Sequence, residues 1–147
     1  MKNIIDDVFD GRYMRLYLAG PMRNIPEFNF PAFFKAAAYL RGLGHEVFCP
    51  AEHDVKEHGG DDFWKTNKTG SNEEATKNFG FDLRKALGTD LAWICEHADG
   101  VALLPGWIHS KGAVAEKATS EALGLKVVFL AVDVEGNYYV SEKKNVA

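Results

Sequence analysis

Four short apolar runs, separated by segments of helical spacing or by polar loops, constrain this chain more than any other feature. MRLYLAG at 14–20, HEVFCP at 45–50, DGVALLPG at 99–106 and KVVFLAV at 126–132 read as strands, since each is a compact apolar run bounded by turn residues. Between the first two, Phe30, Phe33, Phe34, Ala37 and Leu40 recur at helical spacing. Asn29 stands where a cap belongs, Pro31 suits the first turn, and Gly42 and Gly44 stop the helix. Residues 72–97 carry Phe81, Leu83, Leu87, Leu91, Trp93, Ile94 and Cys95 near one side, which predicts two helices end to end with a break at Gly88. SKGAVAEKATSEALG at 110–124 predicts the last helix. Strand alternating with helix calls for an α/β architecture with a mostly parallel sheet. Such sheets bind ligands beyond the carboxyl ends of their strands, where the connections change direction.

The chain has 147 residues, of which 46% are hydrophobic and 26% charged, enough for one full core. One domain is expected over 14–147, with residues 1–13 as an extension. Residues 51–80 interrupt the pattern: GGDDFWKTNKTGSNEE is polar, without sustained period, and is expected to be a mobile loop, either a lid or a mobile insertion. A net charge of −4 lacks the basic footprint of a protein that binds long nucleic acid. Cys49 and Cys95 read as two reduced core thiols. No apolar run reaches the about 18 to 20 residues needed to span a bilayer, and the acidic start is unlike a signal peptide, so a cytoplasmic protein is expected.

Two loops stand out. LAGPMRN at 18–24 follows the first strand; Gly20 allows close backbone approach to a ligand, and Arg23 offers a planar fork for phosphate or carboxylate. LPGWIHSKGAVAE at 104–116 runs from the third strand into a helix. There Ser110 supplies a hydroxyl and Gly112 an unobstructed amide beside a helix start, where an anion is favoured; Ser110 can equally serve as a plain helix cap. Glu116 lies four residues beyond Gly112, on the same side and one turn deeper. Asp90 precedes the third strand and reads either as a cap or as a second carboxylate of the site. Two carboxylates beside a phosphate site suggest chemistry on a nucleotide, one attacking the sugar carbon while another group assists departure of the base.

Other motifs are missing. The sequence contains no GxGxxG, no GxxxxGKS/T and no GxSxG, so dinucleotide, ordinary ATPase and serine hydrolase readings lack support. His45, His53, His58, His97 and His109 lack paired metal spacing and read as surface or structural residues. No metal and no cofactor is expected.

YLAGPMRN, FNFPAF, LRGLGHEVFCPAE, the ADG before VALLPGW, and SKGAVAE followed by ALGLKVV appear in order over about residues 14–132. Together these blocks resemble the nucleoside 2-deoxyribosyltransferase-like superfamily, in particular its small members common in bacteriophages, related to the 2′-deoxynucleoside 5′-phosphate N-hydrolases. The resemblance implies a flavodoxin-like three-layer sandwich and a homodimer or higher homo-oligomer whose pocket is completed near a subunit interface. It implies Glu116 as the nucleophile at the anomeric carbon, Asp90 as the acid that helps the base leave, and Tyr17 as the residue orienting the nucleophile. Gly20, Arg23, Ser110 and Gly112 would hold a 5′-phosphate. The residue that reaches in from a neighbouring subunit in relatives has only Asn137 and Ser141 as candidates here. The expected function is cleavage of the N-glycosidic bond of a nucleoside or its 5′-monophosphate, by hydrolysis or base exchange. A catalytically silent nucleotide-binding module is the alternative.

Overall fold

The computed structural model describes residues 8–141. Its centre is a five-stranded sheet in the order β2-β1-β3-β4-β5, with β1 Arg15–Ala19, β2 Glu46–Phe48, β3 Gly100–Leu103, β4 Lys126–Val132 and β5 Tyr138–Ser141. The first four strands are mutually parallel, and β5 runs antiparallel along the β4 edge. Six helices flank the sheet: α1 Phe30–Gly42, α2 Pro50–Glu57, α3 Asp62–Lys65, α4 Asn72–Phe79, α5 Leu83–His97 and α6 Lys111–Ala122. The result is a flavodoxin-like three-layer sandwich. Among the described residues no helix is long and apolar enough to cross a membrane.

Period-two alternation along the buried strands creates the layers. Leu16 and Leu18 of β1, Ala102 of β3 and Leu130 of β4 join one core with Phe30, Phe33, Ala37 and Leu40 of α1. Tyr17, Ala19, Val101 and Leu103 point the other way, into a core with Ile94 of α5 and Ala113 of α6. Because the connections turn opposite ways across the sheet, β1 leading to β2 on one side and the chain returning to β3 on the other, a crevice opens beyond the carboxyl ends of β1 and β3.

Several expectations are corrected. Residues 51–80 are not structureless: they form α2, α3 and α4, with turns between. Elements this short cannot display a sustained period, which hid them. Ser71 does carry a start signal, accepting the Glu74 amide at 3.2 Å. Phe63 and Trp64 are buried, Phe63 stacking on Phe28 with centroids 5.6 Å apart. Buried Asn67 ties the segment down: its Oδ1 accepts the Gly70 and Ser71 amides, and its Nδ2 donates to the Ser71 carbonyl. The backbone then joins the loop after β1, through Asn24 N–H to Gly70 O and Glu27 N–H to Asn67 O, both 2.9 Å. Gly70, at φ +74°, admits no side chain, since a Cβ would meet the Ile25 carbonyl oxygen at 2.2 Å.

The break between the two successive helices falls at Gly80, in left-handed conformation at φ 71°, whereas Gly88 lies inside α5. Asn29 precedes α1 without capping it; it adopts φ 61° and donates instead to the Pro21 carbonyl at 3.0 Å. Cys49 is buried but Cys95 is exposed, because the residue after buried Ile94 is rotated about 100° around the helix. Strand β5 was not foreseen, although DVEGN before YYVS is a hairpin signal. Asp133 Oδ1 closes that turn by accepting the Glu135 and Asn137 amides at 2.9 Å. Within the expected extension, Phe9 is buried against His45, while residues 1–7 lie outside the described part.

Asn67→Ala strips acceptors and a donor from a buried turn, a class of change that costs about 1–3 kcal/mol. Urea denaturation followed by tryptophan fluorescence should show that loss, and an unchanged midpoint would contradict the anchoring role.

Candidate active site

A cavity of about 430 Å³ opens in the crevice beyond β1 and β3. The expected catalytic and phosphate-binding residues line it: Tyr17, Gly20 and Arg23 from β1 and its loop, Asp90 from α5, and Ser110, Gly112 and Glu116 from α6 and its start. Asn137 and Ser141 do not; they belong to the β4–β5 hairpin.

Its base is the contact between strand and helix. Tyr17, almost wholly buried, packs against the touching rings of Phe48 and Trp93, with centroids at 5.7 and 6.3 Å, and its hydroxyl donates to Glu116 Oε2 at 2.5 Å. Asp90, mid-helix in α5, stands near the Tyr17 hydroxyl, whose one hydrogen goes to Glu116. The capping role for Asp90 is thereby corrected: α5 extends to His97 and leaves no helix start for it to cap.

Burial dominates the electrostatics. It pushes the Glu116 carboxyl up to about 8, with the charge of Asp90 adding and the Tyr17 hydrogen bond opposing. Burial likewise lifts Asp90 to about 7 against the opposing influence of the nearby Tyr17 hydroxyl. Tyr17 itself is raised by burial and then by the two carboxylates, so at neutral pH the phenol keeps its proton and is the donor.

Sequence reading missed a third carboxyl. Asp54 on α2 lines the same cavity, and burial, then Asp90 and Glu57, push it up to about 8. It lies one turn into the helix that follows β2, so the carboxyl-end rule would have found it had its segment not been read as a loop. Phe28 was also missed as a cavity residue. It sits with Glu27 and Asn29 in three consecutive left-handed conformations, a costly backbone for residues with a Cβ.

The far end suits an anion. Ser110 caps α6, its Oγ accepting the Ala113 amide at 3.2 Å, which leaves the hydroxyl hydrogen free to donate. The cap and ligand roles are compatible. The Lys111 and Gly112 amides open the helix without intrahelical acceptors, and a Cβ on Gly112 would meet nothing nearer than Ser110 Oγ at 3.9 Å. Gly20 has a packing reason as well, since a Cβ there would lie 2.8 Å from Leu104. Arg23 is held at the rim by the Asn72 side-chain oxygen, at 2.8 Å from Nε and 2.9 Å from Nη2. Gly112 to Glu116 spans about 6 Å of helix rise, so an anion at the helix start and a reacting carbon at Glu116 fit one small ligand. Among the described residues no three His, Cys, Asp or Glu side chains form a metal-binding group.

Residues 14–129 match the family described as a domain of unknown function (DUF4406), and the chain belongs to that family. No curated protein matches it.

The raised carboxyls have a stability signature. The folded chain keeps a proton on Asp54 up to about pH 8, which the unfolded chain releases near pH 4. Stability present below that lower value is therefore lost as pH rises through the folded one. The wild-type melting temperature should fall from pH 5 to pH 8.5, and Asp54→Asn should flatten the fall. Parallel pH profiles for the two proteins would count against a half-buried Asp54 that holds its proton.

Proposed function

We propose that this member of the DUF4406 family cleaves the N-glycosidic bond of a nucleoside 5′-monophosphate through a covalent intermediate on Glu116. The observation that carries the reading is the 2.5 Å hydrogen bond from Tyr17 to Glu116 Oε2, inside a cavity shared with Asp90 and with the start of α6. The resemblance of the sequence blocks to the nucleoside 2-deoxyribosyltransferase-like superfamily supports the same roles.

In this reaction the phosphate binds the Ser110 hydroxyl, the Lys111 and Gly112 amides and Arg23, all suited to an anion. Tyr17 holds one Glu116 oxygen and leaves the other to attack C1′. The C–N electron pair departs with the base, which takes a proton from the Asp90 carboxyl. The Asp90 carboxylate then accepts a proton from water as water attacks C1′, and the Glu116 carboxylate is released. A second base entering in place of water gives exchange instead. Glu116 must be ionised and Asp90 protonated, an arrangement in which the pair shares one proton. The Tyr17 hydrogen bond favours the Glu116 anion. Under this reading the protein acts in the cytoplasm as a homo-oligomer, with no cofactor.

A nucleotide-sequestering module is the second reading. The Glu116 carboxyl, pushed up to about 8 by burial, supports it, because a protonated carboxyl cannot attack.

Chromatography of free base released from nucleosides and 5′-monophosphates, with and without an added base, tests both. Under the first reading Glu116→Gln loses at least about 10³-fold in turnover, and Asp90→Asn loses about 10²-fold or more. Both variants should still bind nucleotide by calorimetry. Binding by the wild type without any release would favour sequestration.

A further inference from the structure

The reaction as written makes no use of Asp54. Its carboxyl lines the cavity beside Asp90, and the two repel when charged. Among the described residues no hydrogen-bond donor or cation pairs with it, although other acids of the chain are paired, as Glu52 is with Arg41. Half-buried and open to the cavity, the carboxyl is left for a ligand's donor to meet. The wall around it suits a flat ring. His58, just past the end of α2, stacks on Phe63 at 4.6 Å and approaches Phe81 at 6.0 Å. Phe28, Phe63 and Phe81 all line the cavity.

Resting on the proposed reaction, the arrangement of the site fixes which end of the substrate lies here. The anion end is at the start of α6, the sugar carbon at Glu116, and Asp90 stands at the departing base. Asp54, on the other side of Asp90, is left facing the outer edge of that base. A carboxyl offers an acceptor oxygen in both protonation states but a donor in only one. The one ring substituent it can serve in either state is therefore a donor, an exocyclic amine. The amine's two hydrogens can also bridge the neighbouring carboxyls of Asp54 and Asp90.

We propose that Asp54 reads the base edge and selects bases that carry an exocyclic amino group over those that present a carbonyl there.

The probes are 2′-deoxycytidine and 2′-deoxyuridine 5′-monophosphates, which differ at that position, compared by base release and by calorimetry. At pH 9, where Asp54 is ionised, the wild type should favour the amino nucleotide by at least about tenfold, the size expected for one charged-group hydrogen bond, with a smaller ratio at pH 6, where the protonated carboxyl can also donate to a carbonyl. The amide in Asp54→Asn can turn either its oxygen or its nitrogen to the base, so this variant should gain use of the deoxyuridine nucleotide and bring the ratio to about threefold or less. Asp54→Leu should weaken both nucleotides and also lose the preference. A wild type that treats the two alike, or an Asp54→Asn variant that keeps the full ratio, overturns the inference. Calorimetry separates this from failure of the glycosidase reading. A binding preference without base release keeps Asp54 as the selector and removes the chemistry, whereas release without preference does the reverse. Failure to bind either nucleotide overturns both.

Discussion

The hydrogen bond between Tyr17 and Glu116 joins the central strand to the last helix across 99 positions of sequence, and the arrangement of the site depends on it. Neither group would be stable at this depth alone, because an unpaired phenol or carboxyl out of water loses its solvation without return. Together they let a polar cluster occupy the centre of an apolar layer formed by Ile94, Val101, Leu103 and Ala113. Phe48 and Trp93 hold the ring in place, so the orientation of the carboxylate is set by packing as well as by the hydrogen bond.

Around that contact the protein accumulates acid instead of neutralising it. Glu116, Asp90 and Asp54 face one cavity, and burial raises all three. Core packing has no use for such an arrangement, since apolar residues of similar size would give a more stable protein. Clusters of strongly shifted carboxyls in a cleft mark sites where proton position matters. The left-handed run at Glu27, Phe28 and Asn29 belongs to the same pattern. It brings Phe28 to the cavity while Asn29 secures the Pro21 carbonyl of the adjoining loop.

The segment between β2 and α5 links stability to the site. Phe63 and Trp64 bury apolar surface against α1 and its approach, and Asn67 and Gly70 bind the backbone of the loop that carries Arg23. Asn72 then meets the guanidinium directly. A change in this segment therefore reaches the anion end of the cavity through two backbone hydrogen bonds and one side chain.

The sequence by itself determined the layered α/β plan, because continuous apolar strands and helical spacing are local patterns that burial imposes on every buried strand and amphipathic helix. It also placed Gly20, Arg23, Ser110 and Gly112 at strand ends, where the carboxyl-end rule needs only chain order. Resemblance to a known superfamily, and not periodicity, singled out Tyr17 and gave Asp90 its expected role as the acid. Tertiary structure alone decided the rest. The short helices α2, α3 and α4 owe their form to contacts with α1 and the loop after β1, and their eight, four and eight residues are too few to be stable without such packing. Asp54 became a cavity residue only when α2 folded toward the crevice. Nothing local to Glu116, Asp90 or Asp54 could reveal their raised affinity for protons, because that property comes from the desolvation of three distant stretches of chain brought into one space.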